Sequence, residues 1–413
     1  MSHDHPQDLQ DQLLFGEYGG VNPSITDSST FTFLNPDTMA ELFEHEIEGC
    51  FLYSRHWNPT NKNLADALAL LEGSEAAQVT ASGMAAISSA LVQLCDQGDE
   101  IVSSRTIYGG TYALMKHFLP RFGVKSSFVN IQDLTAVSQA ITPHTKVIYC
   151  EAVSNPLLEV ADIPALSKLA KAHNLTLIVD NTFSPLIISP IELGADVVVH
   201  SLTKYINGTS DTVAGAICAS KAFINQLVDV NSGATMLLGP VLDSFRAASI
   251  HKNLHSLHIR MQKHSYNAQY VAERLQADGV TIHYPGLASN RQHERMNRLM
   301  NNEFGYGGMM TIDMGSKERA NQLMALMQNA KVGYLAVSLG FYKTLFSAPG
   351  SSTSSEIPLE EQGAMGLSEG LVRISIGLDH HIERSYNRIR RCLVEMGEIE
   401  AVETAVPTPE LVH

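Results

Sequence analysis

Cations are scarce in this chain: 28 Lys and Arg against 43 Asp and Glu over 413 residues leave a formal charge of −15. Phosphate backbones are bound by clustered cations, so this balance argues against a nucleic-acid partner. Long apolar runs are also missing, since none reaches the ~18 residues that span a bilayer, and no membrane helix is expected. Cysteine is sparse. Cys50, Cys95, Cys150, Cys218 and Cys392 are odd in number, far apart and without a C-x-x-C pair, which argues against a disulfide framework and a zinc site and for buried free thiols. The 17 histidines, among them His3, His5 and the pair His380-His381, form no spaced set with acidic or thiol partners. Surface or capping roles are expected for them, and no metal. The start MSHDHPQDLQDQ has neither a basic n-region nor an apolar h-region, so a cytoplasmic location is expected.

What is present is core-forming. With 44% hydrophobic and 17% charged residues the composition is globular. At about 150 residues per domain the length implies two or three domains, which bury roughly three quarters of the unfolded chain's surface. Residues 1–60 are rich in Gly, Asn, Pro, Ser and Thr with little periodicity, and are expected to form an arm ordered by a neighbouring subunit. From Asn63, LADALALLEG reads as an amphipathic helix stopped by Gly73, and AAISSALVQLC resumes helical spacing after Thr80-Ala81-Ser82-Gly83. DEIVSS, KSSFVNI, KVIYCEA, TLIVDN and ADVVVHS are short runs rich in β-branched residues, separated by helical stretches such as IPALSKLAKAHN. Such alternation predicts a mostly parallel sheet covered by helices over 61–255. Beyond Ser256, a long polar helix (HIRMQKHSYNAQYVAERLQADG) and the strand-like GVTIHYP, GGMMTIDM and LVRISIGL predict a smaller α+β domain over 256–413, with a frayed tail, VETAVPTPELVH.

The strand TLIVDN ends in Asp180, and ADVVVHS runs into Ser201-Leu202-Thr203-Lys204. Ligands of open parallel sheets sit beyond the carboxyl ends of the strands, so both groups would face one crevice. A lysine to form a Schiff base and a carboxylate to keep a pyridine nitrogen protonated suit pyridoxal 5′-phosphate (PLP). Each residue alone also suits a helix cap or a solvated loop. Ser82-Gly83-Met84 opens a helix, where free N–H groups and the dipole favour a phosphate. No G-x-G-x-x-G turn joins a strand to a helix, which argues against a nicotinamide dehydrogenase.

In chain order, S-G-M-A-A, Y-G-G-T, S-N-P-L, V-D-N-T-F and H-S-x-T-K-Y resemble the cysteine and methionine metabolism family of PLP enzymes over about residues 20–395. The resemblance implies an α/β fold: the fold-type I PLP-dependent transferase fold, a mostly parallel central sheet covered by helices with a smaller C-terminal α+β domain. It implies PLP as cofactor, Lys204 as the Schiff-base lysine and proton carrier, Asp180 as partner of the pyridine nitrogen, and Tyr108 stacked on the ring and assisting the leaving group. Ser82, Gly83, Met84, Ser201 and Thr203 match the phosphate cradle, which Tyr53 and Arg55 of an adjacent subunit would complete. A homo-oligomer follows, a tetramer built as a dimer of dimers with shared sites. Arg373 matches the arginine that holds the substrate carboxylate, with Asn155 and Ser338 assisting.

MLLGP, FGYGG, AVSLGFYKTL and SSTSSE look like the plant-type branch of methionine γ-lyases. Val337 stands where cystathionine-cleaving relatives commonly carry a glutamate, and an apolar residue suits an S-methyl group because an unpaired charge is costly to bury. A sulfur amino acid is thus the implied substrate, with α,γ-elimination the implied reaction. The alternatives are γ-replacement, as in an O-acetylhomoserine sulfhydrylase or cystathionine γ-synthase, cystathionine γ-lyase activity, or a non-catalytic PLP carrier. Departures from the better-known pattern are Gly110 in place of a cysteine, His56-Trp57, Thr209 and Ser354.

Overall fold

Seven strands form the larger sheet: β1 (Ala76–Thr80), β2 (Glu100–Ser104), β3 (Lys125–Val129), β4 (Thr145–Glu151), β5 (Thr176–Asp180), β6 (Val197–Ser201) and β7 (Gly215–Ala219), in the order β1-β7-β6-β5-β4-β2-β3. This is a computed structural model that describes residues 9, 12–44, 47 and 49–400. His3, His5 and the tail 402–413 lie outside the described residues. Strands β3, β2, β4, β5 and β6 run parallel, while β7 pairs antiparallel with both β6 and β1.

At the centre of the sheet both faces are buried, which is why β4, β5 and β6 read as near-continuous apolar runs, whereas the edge strand β3 is partly exposed. Alternation sorts β4: Ile148 and Cys150 join one core, Val147 and Tyr149 the other. The helix Pro59–Glu72 covers the first face. It starts where the Asn58 side chain accepts from the Thr60 N–H at 2.9 Å and stops at Gly73, whose φ of 73° suits a residue without Cβ. The helix Gly83–Leu94, capped by Ser82 through the Ala85 N–H at 3.0 Å, packs on the second face.

A second sheet follows in the order β10-β11-β12-β9-β8, made of β8 (Ile282–His283), β9 (Met309–Asp313), β10 (Tyr334–Leu335), β11 (Leu345–Ser347) and β12 (Leu371–Ser375). Only β10 and β11 are parallel there. The long helix Leu257–Ala277 ties the two parts together. Leu257 and Met261 near its start pack in the larger sheet's core, and Ala268, Val271, Ala272 and Leu275 pack against the second sheet.

Three elements depart from the sequence reading. The stretch 1–60 is not without regular structure, because Pro36–Glu44 is a helix that opens with proline and Asp37. AAQVT and GAICA, poor in β-branched residues, are strands β1 and β7. They are strands because they are paired and covered; neither has a strong propensity of its own. Four cysteines are buried free thiols, and Cys50 is half-buried. No helix among the described residues is long and apolar enough to cross a membrane.

Candidate active site

The carboxyl ends of the parallel strands and the second sheet enclose a cavity of about 270 Å³. It gathers Ser82, Gly83, Met84, Tyr108, Asn155, Asp180, Ser201, Thr203, Lys204, Val337, Ser338 and Arg373. Tyr53 and Arg55 do not line it. They belong to the N-terminal segment, where the Arg55 guanidinium lies 5.7 Å from the Tyr53 ring centre, and Arg55 instead packs beside Gly239.

Topology explains the placement. Strand β5 delivers Asp180 and β6 delivers Ser201 at adjacent carboxyl ends, and the chain after β6 turns through Thr203 to Lys204. Thr203 Oγ1 accepts from the Ala214 N–H at 3.0 Å and Ser201 N–H donates to Thr182 Oγ1 at 2.8 Å, so the turn is fixed from both sides. The Ser82-Gly83 turn leans on this unit. A Cβ on Gly83 would stand 2.8 Å from Ser201 Cβ, and one on Gly215 would stand 2.2 Å from the Ser82 carbonyl oxygen.

Lys204 Nζ donates to Ser338 Oγ at 3.1 Å, and its pKa is lowered from 10.5 to about 8 by burial first and then by Arg373. Arg373, in β12, is 2% exposed. Its Nη1 donates to Asn155 Oδ1 at 2.8 Å and its Nη2 to the Ser338 carbonyl and Ser347 Oγ, each at 3.4 Å. Burial lowers this guanidinium to about 10, and no carboxylate pairs with it among the described residues. Asp180 accepts from the Thr182 N–H at 2.9 Å and from the Tyr149 hydroxyl at 3.4 Å, and burial raises its pKa. Burial likewise raises the Tyr108 phenol, followed by the nearby Glu356 charge, so Tyr108 is protonated at neutral pH.

These residues fit PLP. A buried carboxyl that forms no salt bridge among the described residues suits a pyridine N–H, and the turn where a Cβ has no room lets backbone N–H groups approach a phosphate. The buried, unpaired guanidinium suits a carboxylate.

Sequence reasoning missed Glu151, which lines the same cavity. It ends β4 as Asp180 ends β5, in direct register, and that shared strand-end position was a usable signal. Ser347, another Arg373 partner, is its cross-strand neighbour on β11 and carries no motif.

A model of the family described as Cys/Met metabolism PLP-dependent enzyme matches residues 9–383. The chain is similar to a methionine γ-lyase of Arabidopsis thaliana, at 47% identity over 388 residues, 92% of this chain and 88% of that one. Among solved structures it is similar to a putative O-acetylhomoserine (thiol)-lyase from Campylobacter jejuni that carries a pyridoxyl-lysine phosphate, with a TM-score of 0.86, 30% identity and coverage of 92% and 97%. A cystathionine γ-lyase from Lactobacillus plantarum complexed with L-serine superposes with a TM-score of 0.83 at 31% identity, covering 92% and 95%.

Two outcomes follow from the geometry. In cofactor-free protein, Lys204 should react with a small anhydride with a midpoint near pH 8 instead of 10.5, because the amine is protonated and unreactive below its own pKa; peptide mass spectrometry across pH reads this. Gly215→Ala should push the Ser82 turn away and raise the PLP dissociation constant on the order of tenfold, measured by equilibrium dialysis.

Proposed function

Because the chain belongs to the Cys/Met metabolism family of PLP-dependent enzymes, we propose that it is a methionine γ-lyase. Its reaction converts L-methionine and water to methanethiol, 2-oxobutanoate and ammonia. The observation that carries this choice is one cavity lined by a reactive lysine, a buried carboxylate grip and an apolar valine, in a chain 47% identical to a methionine γ-lyase.

Lys204 would hold the cofactor covalently, Asp180 its ring nitrogen, Tyr108 its ring face, and Ser82, Gly83, Met84, Ser201 and Thr203 its phosphate. Bound PLP supplies the electron sink that makes protons on the substrate's carbons removable. Arg373, oriented by Asn155 and the Ser338 carbonyl, grips the substrate carboxylate bidentately, which a lysine could not do. Lys204, lowered to about 8, is a competent base near neutrality for the Cα proton and then carries protons at the neighbouring carbons. Tyr108, still protonated, supplies the proton that lets the thiolate leave as methanethiol. Val337, 62% exposed and not buried as the sequence comparison with a glutamate implied, adds an apolar surface to the cavity lining for the S-methyl end.

The site is shared between subunits of a homotetramer built as a dimer of dimers, with Tyr53 and Arg55 serving the neighbour's phosphate. Their exclusion from their own chain's cavity supports this, as do the exposed apolar side chains Leu237, Leu238 and Phe245. We assign 1–60 to the arm, 61–255 to the PLP-binding domain and 256–413 to the C-terminal domain, a division supported by the separate apolar core around the second sheet.

The likeness to a putative O-acetylhomoserine (thiol)-lyase favours a second reading, γ-replacement by an incoming thiol. Product analysis with and without added thiol separates it from elimination: 2-oxobutanoate that persists undiminished supports the lyase.

Lys204→Ala should abolish turnover and the visible absorption of the loaded enzyme while leaving the fold intact. Co-assembled with Arg55→Ala, it should regain part of the activity, since a mixed interface holds one intact site; no recovery in verified mixed oligomers counts against shared sites. Val337→Glu should lower kcat/KM for methionine and raise it for cystathionine by at most about tenfold, because a partly solvated ion pair is worth ~1 kcal/mol. A ratio of efficiencies that stays put or moves toward methionine removes the support for methionine over cystathionine.

A further inference from the structure

Glu151 is a buried carboxyl group in the cavity wall, 6% exposed, for which the chemistry above has no use. Burial first, and the neighbouring Asp180 second, push its pKa up, while the Asn155 and Tyr108 N–H groups favour the ionised form, so the fold bears a cost for keeping a carboxylate there. Among the described residues it forms no salt bridge in return. Its two oxygens are both committed. Oε1 accepts from the Tyr108 N–H at 2.7 Å, and Oε2 accepts from the Asn155 N–H at 2.6 Å.

Those two backbone groups belong to residues with different tasks in the site. Tyr108 caps the short helix Gly109–Ala113, and Asn155 Oδ1 is the 2.8 Å partner of Arg373. A carboxylate is the side chain that offers two acceptor oxygens and no donor, whereas an amide of the same shape sets its NH₂ against one of the N–H groups.

We propose that Glu151 is a positioning residue for the reaction: one carboxylate fixes Tyr108 and the Asn155–Arg373 pair in a common frame, so that gripping the substrate's carboxylate also sets its leaving group against the tyrosine. The proposal rests on the roles given above to Tyr108 and Arg373. It assigns Glu151 no contact with substrate or cofactor.

The test uses PLP-loaded wild type, Glu151→Gln, Asn155→Ala and the double variant. Cofactor content per subunit and the visible absorption of Glu151→Gln should equal those of wild type, while kcat/KM for methionine falls on the order of tenfold to a hundredfold, the usual consequence of leaving one buried N–H unpaired. L-Norleucine matches methionine in length but has no thiolate to lose, and the concentration at which it half-saturates the spectral change should rise by a similar factor. The double variant should lose less than the product of the single losses, because Glu151 acts through Asn155.

Unchanged norleucine half-saturation and kcat/KM in loaded Glu151→Gln overturns the proposal, and so do fully multiplicative effects. If Glu151→Gln does not hold the cofactor, Glu151→Asp takes its place, being too short to reach both N–H groups; loss of cofactor in both makes Glu151 a folding residue and also overturns the proposal. Failure of wild type to release 2-oxobutanoate would refute the lyase reading alone, since norleucine binding needs no leaving group.

Discussion

Lys204, Arg373, Asp180 and Glu151 line one cavity, largely buried, and none of them forms a salt bridge among the described residues. Burying unpaired charge is among the costliest things a fold can do. The contrast with Glu72 and His200 is instructive: that pair is also buried, but its two side chains bond each other, Nε2 to Oε2 at 2.7 Å. In the cavity the charges are held apart by hydrogen bonds from neutral neighbours such as Ser338, Asn155 and Thr182. Those bonds orient each group without pairing it to an opposite charge, which leaves it available to a ligand. Two apolar cores on the faces of the larger sheet and a third beside the smaller one offset the cost.

Much of this was legible in the sequence, for identifiable reasons. Strands buried on both faces carry runs rich in apolar and β-branched residues, so β4 to β6 stand out, and the rule that ligands gather at strand carboxyl ends led directly to Asp180 and Lys204. The same rule applied to KVIYCEA would have led to Glu151, which needed no motif to be found. Strands β1 and β7 were not legible because Ala-Ala-Gln-Val-Thr and Gly-Ala-Ile-Cys-Ala become strands through their partners. Gly215 had to be small for a reason no local pattern carries, the Ser82 carbonyl lying where its Cβ would be. Arg373 drew attention only through family resemblance, since an arginine in an apolar strand is otherwise ambiguous. Its isolation from carboxylates is a property of the packed chain.

Three further positions link sequence departures to space. A Cβ on Gly110 would come within 2.5 Å of the Tyr108 ring, so the glycine lets that ring settle against the loop. Ser354 is fully buried beneath the segment whose Thr353 carbonyl accepts from the Gly109 N–H at 3.1 Å. Thr209 donates to Asp211 on the exposed side of the turn after Lys204, away from the cavity lining. Gly110 and Ser354 therefore bear on Tyr108 and its loop, and Thr209 does not.

The helix Leu257–Ala277 is rooted in one core at its start and in another along its second half. Lys204 belongs to the part on one side and Arg373 to the sheet on the other, meeting only across Ser338. The catalytic amine and the carboxylate grip thus come from the two parts that this one helix joins. A change that shifted one part along that helix would alter the spacing between the two groups while each kept its identity, so substrate length and chemistry rest on separate sets of positions.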